Sequence, residues 1–320
     1  MTVSHHTNRT TILRLGIAAA ALFALVVLVS AALAGGIGSR EGRDAGPVGD
    51  SAQDAEIAGN VTVLGRMPSR VPESSGVAVS AVHPGILWTH SDGAEGRLHA
   101  IAYDGRWRAS ASVPGAGAVD WEDVARGPCP ADGGTDGCLF IADTGDNDAS
   151  RETARILVVP EPARLEVEGT VRPLATVDFR YPGGPTDAEA LAIGGDGRAL
   201  IVSKGNDGAV RLYELPPEAF TTTSGTGVLE ARLVATLPID TSGRAHRVTG
   251  AAMSPDGGTL AVRTASEVYL FPLGEWTREP RVCATGKSQP QGEAVAYLDA
   301  ERLVLTSEGA DSPILAVRCP

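Results

Sequence analysis

The chain has 320 residues, of which 43% are hydrophobic and 21% are charged, a composition typical of a globular protein with a large core. The formal net charge is −12, from 27 basic and 39 acidic residues, and a surface this acidic repels nucleic-acid phosphates. Composition therefore argues against a nucleic-acid partner, and the 39 glycines and 21 prolines argue against a mainly helical fold.

The first element in chain order is an apolar segment that predicts export across a membrane. Residues 1–14 form a basic, cytosolic n-region, and residues 15–34 are uncharged. The apolar run is just long enough to span a bilayer, whereas residues 32–34, Ala-Leu-Ala, offer a small-residue cleavage site. The segment is therefore a retained transmembrane anchor or a cleaved signal peptide, and the rest of the chain is extracytoplasmic in both cases. Residues 35–58 predict a flexible linker, and residues 59–320 form the folded domain.

Five repeats follow the linker and predict an all-β fold. Each repeat opens with a segment whose fourth residue is alanine. The five segments are SGVAV (75–79), EDVAR (122–126), EALAI (189–193), TGAAM (249–253) and EAVAY (293–297). A turn and further strand-like runs come after each segment, and Asp-Gly turns such as Asp196-Gly197 suit hairpins because glycine accepts a positive φ.

Four repeats contain four strand-like runs, whereas the fifth contains three and then the chain ends. The run NVTVLGRMP (60–68), ahead of the first repeat, is expected to supply the missing strand. The pattern predicts a five-bladed β-propeller closed by a blade built from both ends of the domain. A sixth, degenerate blade is the alternative, because the repeats are unevenly spaced. The alanines are expected at the central tunnel, where crowding of the inner strands favours small residues.

All four cysteines follow the apolar segment, and an even number in an oxidising compartment predicts disulfides. Cys129 and Cys138 bracket one glycine-rich loop, so we expect them to pair, which leaves Cys283 to pair with Cys319. Metal binding by these cysteines is the alternative, but it lacks CxxC spacing.

The residue three positions before each alanine carries a side-chain oxygen, and we call these residues the polar ring. Its members are Ser75, Glu122, Glu189, Thr249 and Glu293. Two positions further back lies a second ring of Glu73, Asp120, Asp187, Arg247 and Gln291. Three glutamates that converge on one axis repel each other unless a cation lies among them or their pKa values rise. Calcium takes six to eight oxygen ligands, so the polar ring predicts a Ca²⁺ site. The alternatives are capping of the strand starts, a water column, or acid–base groups of raised pKa.

A second acidic cluster, DTGDND, follows the second strand-like run of repeat two. Asp143, Asp146, Asn147 and Asp148 predict a second calcium site, because alternating Asp, Asn and Gly let a short loop wrap this ion. An Asx-rich turn is the alternative explanation.

The order Ser, Glu, Glu, Thr, Glu around five blades resembles the calcium ring of the calcium-activated nucleotidases, the five-bladed apyrase propellers. That resemblance implies an axial calcium held by hydroxyl and glutamate ligands. Two further motifs, Ser75-Gly76-Val77 and Asp120-Trp121-Glu122, resemble the SdiA-regulated and phytase-like bacterial propellers. This second likeness implies an exported propeller and no particular reaction.

These features favour a binding or scaffold module, anchored in the membrane, with Ca²⁺ in its tunnel and an unknown extracytoplasmic ligand or protein as partner. The first alternative is a calcium-dependent phosphohydrolase of nucleotides or other phosphoesters. In it, Asp120 or Glu122 would activate water, and Lys204, Arg247 and Arg263 would bind phosphate. The second alternative is a glycoside hydrolase, which needs sugar-stacking aromatic residues, although only 4% of the chain is aromatic.

Overall fold

The computed structural model describes residues 60–91, 96–130, 137–221, 227–285 and 289–319. The predicted apolar segment and linker lie outside these ranges. Within the described part of the chain, no helix is long and apolar enough to cross a membrane.

Strands of the described residues form five sheets, which are the five blades of the predicted propeller. The N-terminal strand is β1 (Val61–Arg66). Blade one contains β2 (Ser74–Val79), β3 (Ile86–Ser91), β4 (Arg97–Ala102) and β5 (Trp107–Ser112). Blade two contains β6 (Trp121–Gly127), β7 (Cys138–Asp143) and β8 (Ala154–Pro160), and after a short strand β9 (Gly169–Thr170) it ends with β10 (Ala175–Arg180).

The remaining blades follow the same plan. Blade three contains β11 (Ala188–Ile193), β12 (Ala199–Ser203) and β13 (Val210–Leu215), and after a short strand β14 (Leu229–Glu230) it ends with β15 (Arg232–Leu237). Blade four contains β16 (Val248–Met253), β17 (Thr259–Thr264), β18 (Glu267–Pro272) and β19 (Arg281–Ala284). Blade five contains β20 (Gln291–Tyr297), β21 (Arg302–Glu308) and β22 (Pro313–Arg318). Two short 3₁₀-helices span Pro217–Phe220 and Arg244–His246.

The N-terminal strand closes the propeller. β1 pairs antiparallel with β22, with Val61 opposite Val317, so it becomes the outer strand of blade five. The prediction that NVTVLGRMP completes the last blade is therefore confirmed, and the described residues contain five blades rather than six. Two additions escaped the sequence analysis: β9 pairs parallel with β5, and β14 pairs parallel with β10.

The hydrophobic core is divided into five layers, one between each pair of neighbouring blades. Trp88 and Trp121, both 1% exposed, lie in the layer between blades one and two. Each alanine of the repeat lies in the layer between its own blade and the next. These alanines are Ala78, Ala125, Ala192, Ala252 and Ala296, all at most 9% exposed. Because five inner strands meet near the axis, only a small side chain fits at this position.

Both predicted disulfides are present. Cys129 is bonded to Cys138, and Cys283 is bonded to Cys319. The second bond joins the outer strand of blade four to the end of β22 in blade five. Two disulfide bonds are consistent with an oxidising, extracytoplasmic environment.

Candidate functional site

A β-bulge recurs at the same place in every inner strand. In β6, for example, Trp121 is opposite Asp143 and Asp123 is opposite Ala142, so the register shifts at Glu122. The pairing of the other four inner strands shifts at the corresponding residue. A bulge releases a residue from the regular ladder and re-aims its side chain. The bulged positions contain the polar ring of the repeat, namely Ser75, Glu122, Glu189, Thr249 and Glu293.

All five residues of the polar ring line one cavity of about 720 Å³ at the end of the tunnel where the inner strands begin. We call it the acidic cavity. The loops that leave the second strands add Asn147, Lys204 and Asn206 to its wall, and Arg244 and Arg247 precede β16. The cavity therefore combines carboxylates at the strand starts with cationic side chains from the surrounding loops.

Three carboxylates lie close together at this end of the tunnel, and two of them, Glu122 and Glu189, line the acidic cavity. Glu122, Asp187 and Glu189 each offer one oxygen, and these three oxygens lie within 4.8 Å of one another. The three side chains are buried, with 5%, 8% and 5% exposure. Asp187 belongs to the second ring and was not among the metal ligands predicted from the sequence. We call these three residues the carboxylate cluster.

The backbone of Gly145 lies against this cluster. A β-carbon built on Gly145 would lie 2.1 Å from Oε1 of Glu122 and 2.3 Å from Oδ2 of Asp120. Any side chain at this position would therefore displace both carboxylates. Gly145 is the glycine of the sequence motif DTGDND. The motif alone did not indicate that this glycine lets the backbone approach two carboxylates closely.

Lys204, directly after β12, is the cation nearest to the cluster. Its Nζ donates a hydrogen bond of 2.5 Å to Oε1 of Glu189 and lies 3.6 Å from Oδ2 of Asp187. Asp187 is fixed by two further donors, the amide of Asp146 at 3.0 Å and Nδ2 of Asn206 at 2.8 Å. The cluster is thus held in place by groups from blades two and three.

Two of the ring glutamates have strongly raised pKa values. Burial raises the pKa of Glu189 to about 7, although Lys204 opposes the shift, and Glu189 also shares a hydrogen bond with Glu122. Burial raises the pKa of Glu293 to about 8, with the nearby charges of Glu308 and Glu189 adding to the shift. The repulsion expected from converging glutamates is therefore relieved in both ways named from the sequence, by a nearby cation and by raised pKa values.

The two hydroxyl residues of the polar ring bond to the neighbouring blade. Oγ of Ser75 donates to the carbonyl of Glu122 at 2.9 Å, and Oγ1 of Thr249 donates to the carbonyl of Glu293 at 2.8 Å. These bonds match the capping alternative for the two hydroxyls. A hydroxyl oxygen that donates still has lone pairs, so both residues can also accept or ligate.

The three predicted phosphate-binding cations lie in different surroundings. Lys204 and Arg247 line the acidic cavity, and Arg247 donates to the carbonyl of Gly205. Arg263 is fully buried and donates to the carbonyls of Ala294 and Thr306, at 2.5 and 2.6 Å. Burial lowers the pKa of Arg263 to about 9, against the opposing effect of Glu293. These contacts join blades four and five.

The predicted second calcium site has a different set of contacts. Asp143 is 1% exposed, and its carboxylate accepts bonds from the amides of Val119 and Asp120 and from Arg151. The Asp146 carboxylate accepts bonds from the amides of Ser150 and Arg151. Asn147 accepts a bond from Lys204 at 3.2 Å, and Asp148 is exposed. Among the described residues, the acidic oxygens that converge within 4.8 Å belong to Glu122, Asp187 and Glu189, not to Asp143, Asp146 and Asp148. The second calcium site of Asp143, Asp146, Asn147 and Asp148 stays a prediction.

The donor set of the carboxylate cluster fits a hard divalent cation. Calcium ligands lie about 2.3–2.6 Å from the ion, so two ligand oxygens of one ion are at most about 5 Å apart. The oxygens of Glu122, Asp187 and Glu189 meet this limit. All three donor atoms are carboxylate oxygens, a set that favours a hard cation over zinc, which prefers nitrogen and sulfur ligands. The Lys204 ammonium already lies where a positive charge is stabilised.

Comparison of the chain with family profiles and with curated proteins gives no match. Among solved structures, it is similar to the PQQ-bound aldose sugar dehydrogenase from Streptomyces coelicolor, with a TM-score of 0.48 and 17% identity, covering 81% of this chain and 97% of that one. A luciferin-regenerating enzyme gives a TM-score of 0.48 and 11% identity, with 81% and 94% covered. A protein of unknown function from Bacteroides caccae gives 0.39 and 15%, with 73% and 70% covered. These comparisons do not confirm the resemblance to nucleotidases or phytase-like propellers.

Proposed function

We propose that this protein is an extracytoplasmic binding module whose acidic cavity holds a calcium ion. The observation that carries the proposal is the convergence of three buried carboxylate oxygens, from Glu122, Asp187 and Glu189, within 4.8 Å. The bare backbone of Gly145 adds support, because it leaves the Glu122 and Asp120 carboxylates undisturbed. Ser75 and Thr249 line the same cavity and supply hydroxyl oxygens.

The cation has a thermodynamic reason to bind here. Buried carboxylates of raised pKa are destabilised in their charged form, and a divalent ion offsets that cost. Glu122, Asp187 and Glu189 would hold the ion, and water in the cavity would complete its coordination. The bound ion would present a positive centre to a ligand that enters the cavity, which gives the module a means of binding oxygen-rich or anionic partners.

The test is thermal unfolding of the purified full chain in calcium and in a chelator. At a free calcium concentration one hundred times Kd, the ion stabilises the fold by about 2.7 kcal/mol. For a domain of this size, that corresponds to a rise in Tm of about 5–10 °C. The double variant Glu122→Gln, Glu189→Gln is expected to lose the rise.

The matched control is Glu230→Gln, which removes an exposed carboxylate paired with Arg180, away from the acidic cavity. This variant should keep the full calcium response. Equal melting temperatures of the wild type in calcium and in chelator would contradict the proposal.

A calcium-dependent phosphohydrolase is the second candidate, because Lys204, Arg244 and Arg247 line the same cavity as the carboxylates. These cations supply the charge that phosphate groups need, and Asp120 or Glu122 would be the base. The check is phosphate release from nucleoside di- and triphosphates in the presence of calcium. No release across the panel would leave the binding module as the proposed function. A glycoside hydrolase has less support, since no aromatic residue is among the described residues that line the cavity.

A further inference from the structure

Lys204 lies at the point where the calcium ion of the proposed function would bind. Its ammonium lies 2.5 Å from Oε1 of Glu189 and 3.6 Å from Oδ2 of Asp187, so it pairs with two of the three residues of the carboxylate cluster. The lysine is therefore a counter-ion of the cluster that the chain itself supplies.

We propose that Lys204 is a tethered competitor of the divalent cation, and that ion binding releases its ammonium from the carboxylate cluster. This inference rests on the proposed function, because it assumes that the cluster takes up the ion. The geometric reason is that both cations would neutralise the same two carboxylates, Glu189 and Asp187. Like charges repel strongly at this range in a partly buried site, so the two cations exclude each other.

The structure also offers the released ammonium another partner. Nζ already donates to Oδ1 of Asn147 at 3.2 Å, and Asn147 is exposed. The side chain of Lys204 is 24% exposed and lines the acidic cavity, so its flexible stem can turn toward solvent. Lysine suits this role better than arginine, because its ammonium is a compact point charge without a planar hydrogen-bonding fork.

Competition lowers the apparent calcium affinity by the fraction of molecules in which the cluster is free of Lys204. If the lysine occupies the cluster in nine molecules of ten, its removal strengthens binding about tenfold. A positioning role predicts the opposite result: if Lys204 orients Glu189 for the ion, its removal weakens calcium binding. The sign of the change therefore separates a competitor from a positioning residue.

The experiment is calorimetric titration of calcium into the full chain at one ionic strength, for the wild type, Lys204→Met and Lys204→Gln. We expect both variants to bind calcium about tenfold more tightly than the wild type. Both substitutions remove the charge, one with an apolar and one with a polar side chain. Agreement between them therefore excludes a side effect of one replacement. Arg244→Met is the matched control, because it removes another cation from the wall of the same cavity. It should change the affinity by less than about threefold.

Each outcome decides the proposal. Tighter binding in both lysine variants, with little change in Arg244→Met, supports competition. Unchanged or weaker binding in the lysine variants, with normal binding in the wild type, overturns it and leaves the proposed calcium site intact. If neither the wild type nor the variants bind calcium, both proposals fail. Melting temperatures in chelator give a second readout: removal of Lys204 should lower them, because the cluster then lacks its counter-ion, and calcium should restore them.

Discussion

Asp123 links three blades across the tunnel, and its replacement is expected to destabilise the propeller. Its Oδ2 accepts a hydrogen bond of 2.9 Å from the amide of Leu191 on β11 and one of 3.2 Å from the amide of Ala251 on β16. Its Oδ1 accepts a bond of 2.8 Å from the amide of Val124. The side chain is fully buried, and Asp123→Ala would leave the two amides of the other blades buried without this acceptor.

The loss can be worked from these contacts. A buried donor that loses its partner costs about 1–3 kcal/mol, so the two amides of Leu191 and Ala251 together cost about 2–6 kcal/mol. Whole domains are stable by only about 5–15 kcal/mol, so the fraction lost is large. Asp123→Asn keeps one oxygen for these amides but turns its NH₂ group toward the amide of Val124, which is also a donor. This variant should therefore lose about 1–3 kcal/mol.

Urea unfolding followed by tryptophan fluorescence measures both values, and an unchanged m-value would show that the free energies are comparable. The order wild type, Asp123→Asn, Asp123→Ala in falling stability is the expected result. A stability of Asp123→Ala within about 0.5 kcal/mol of the wild type would refute the reasoning, because that is the range of ordinary surface substitutions. Asp123→Asn provides the test if the alanine variant does not fold.

Two further predictions concern the acidic cavity. The pKa values of Glu189 and Glu293, about 7 and about 8, exceed the ordinary value of 4.5, so the folded chain binds protons more tightly than the unfolded chain. Without calcium, the stability that these two carboxyls contribute is thus complete below about pH 4.5 and is lost as the pH rises through 7 and 8. The midpoint of urea unfolding should therefore fall as the pH is raised from about 5.5 to about 9, and Glu293→Gln should make this fall smaller. Gly145→Ala should weaken calcium binding measured by calorimetry, because its β-carbon would lie 2.1 Å from the Glu122 carboxylate, and an affinity equal to the wild type would contradict this role.

The fold could be predicted from the sequence because the repeated segments, the turn residues and the apolar runs all indicated the same five blades. The five aligned segments lie in β2, β6, β11, β16 and β20, the inner strands of the blades. The turn residues and the later apolar runs then fixed the strand order within each blade. The short strands β9 and β14 could not be predicted, because each has two residues and depends on the free edge of the preceding blade rather than on a pattern of its own.

The candidate site could be predicted only in part. The five residues of the polar ring, which the repeat aligned, converge on one cavity. The position of Asp187 beside Glu122 and Glu189 was missed, since it depends on the amides of Asp146 and Asn206, which come from separate loops. The burial of Arg263 was missed for a similar reason, because the carbonyls that satisfy it belong to the next blade.

Arg263 also shows how a glycine in another blade can make room for a cation. A β-carbon on Gly292 would lie 2.3 Å from one terminal nitrogen of Arg263, so the guanidinium requires glycine at this position. Gly292, beside the ring residue Glu293, can be read from the sequence. The sequence does not show, however, that the side chain of Arg263 from another blade approaches this glycine.

The five bulges explain why one repeated position can carry different chemistry. A residue in the regular ladder is constrained by the residue opposite it, whereas the bulged residue lies at a shift in the register, so its side chain contributes little to sheet pairing. Serine, threonine and glutamate can therefore all occur at this position while the strand order of the blades stays the same, as Ser75, Thr249 and Glu293 illustrate. The neighbouring alanine column lacks this freedom, because it fills the layers between blades. It follows that substitutions at the glutamates of the polar ring should alter ion binding more than folding, and that substitutions at the alanines should do the reverse.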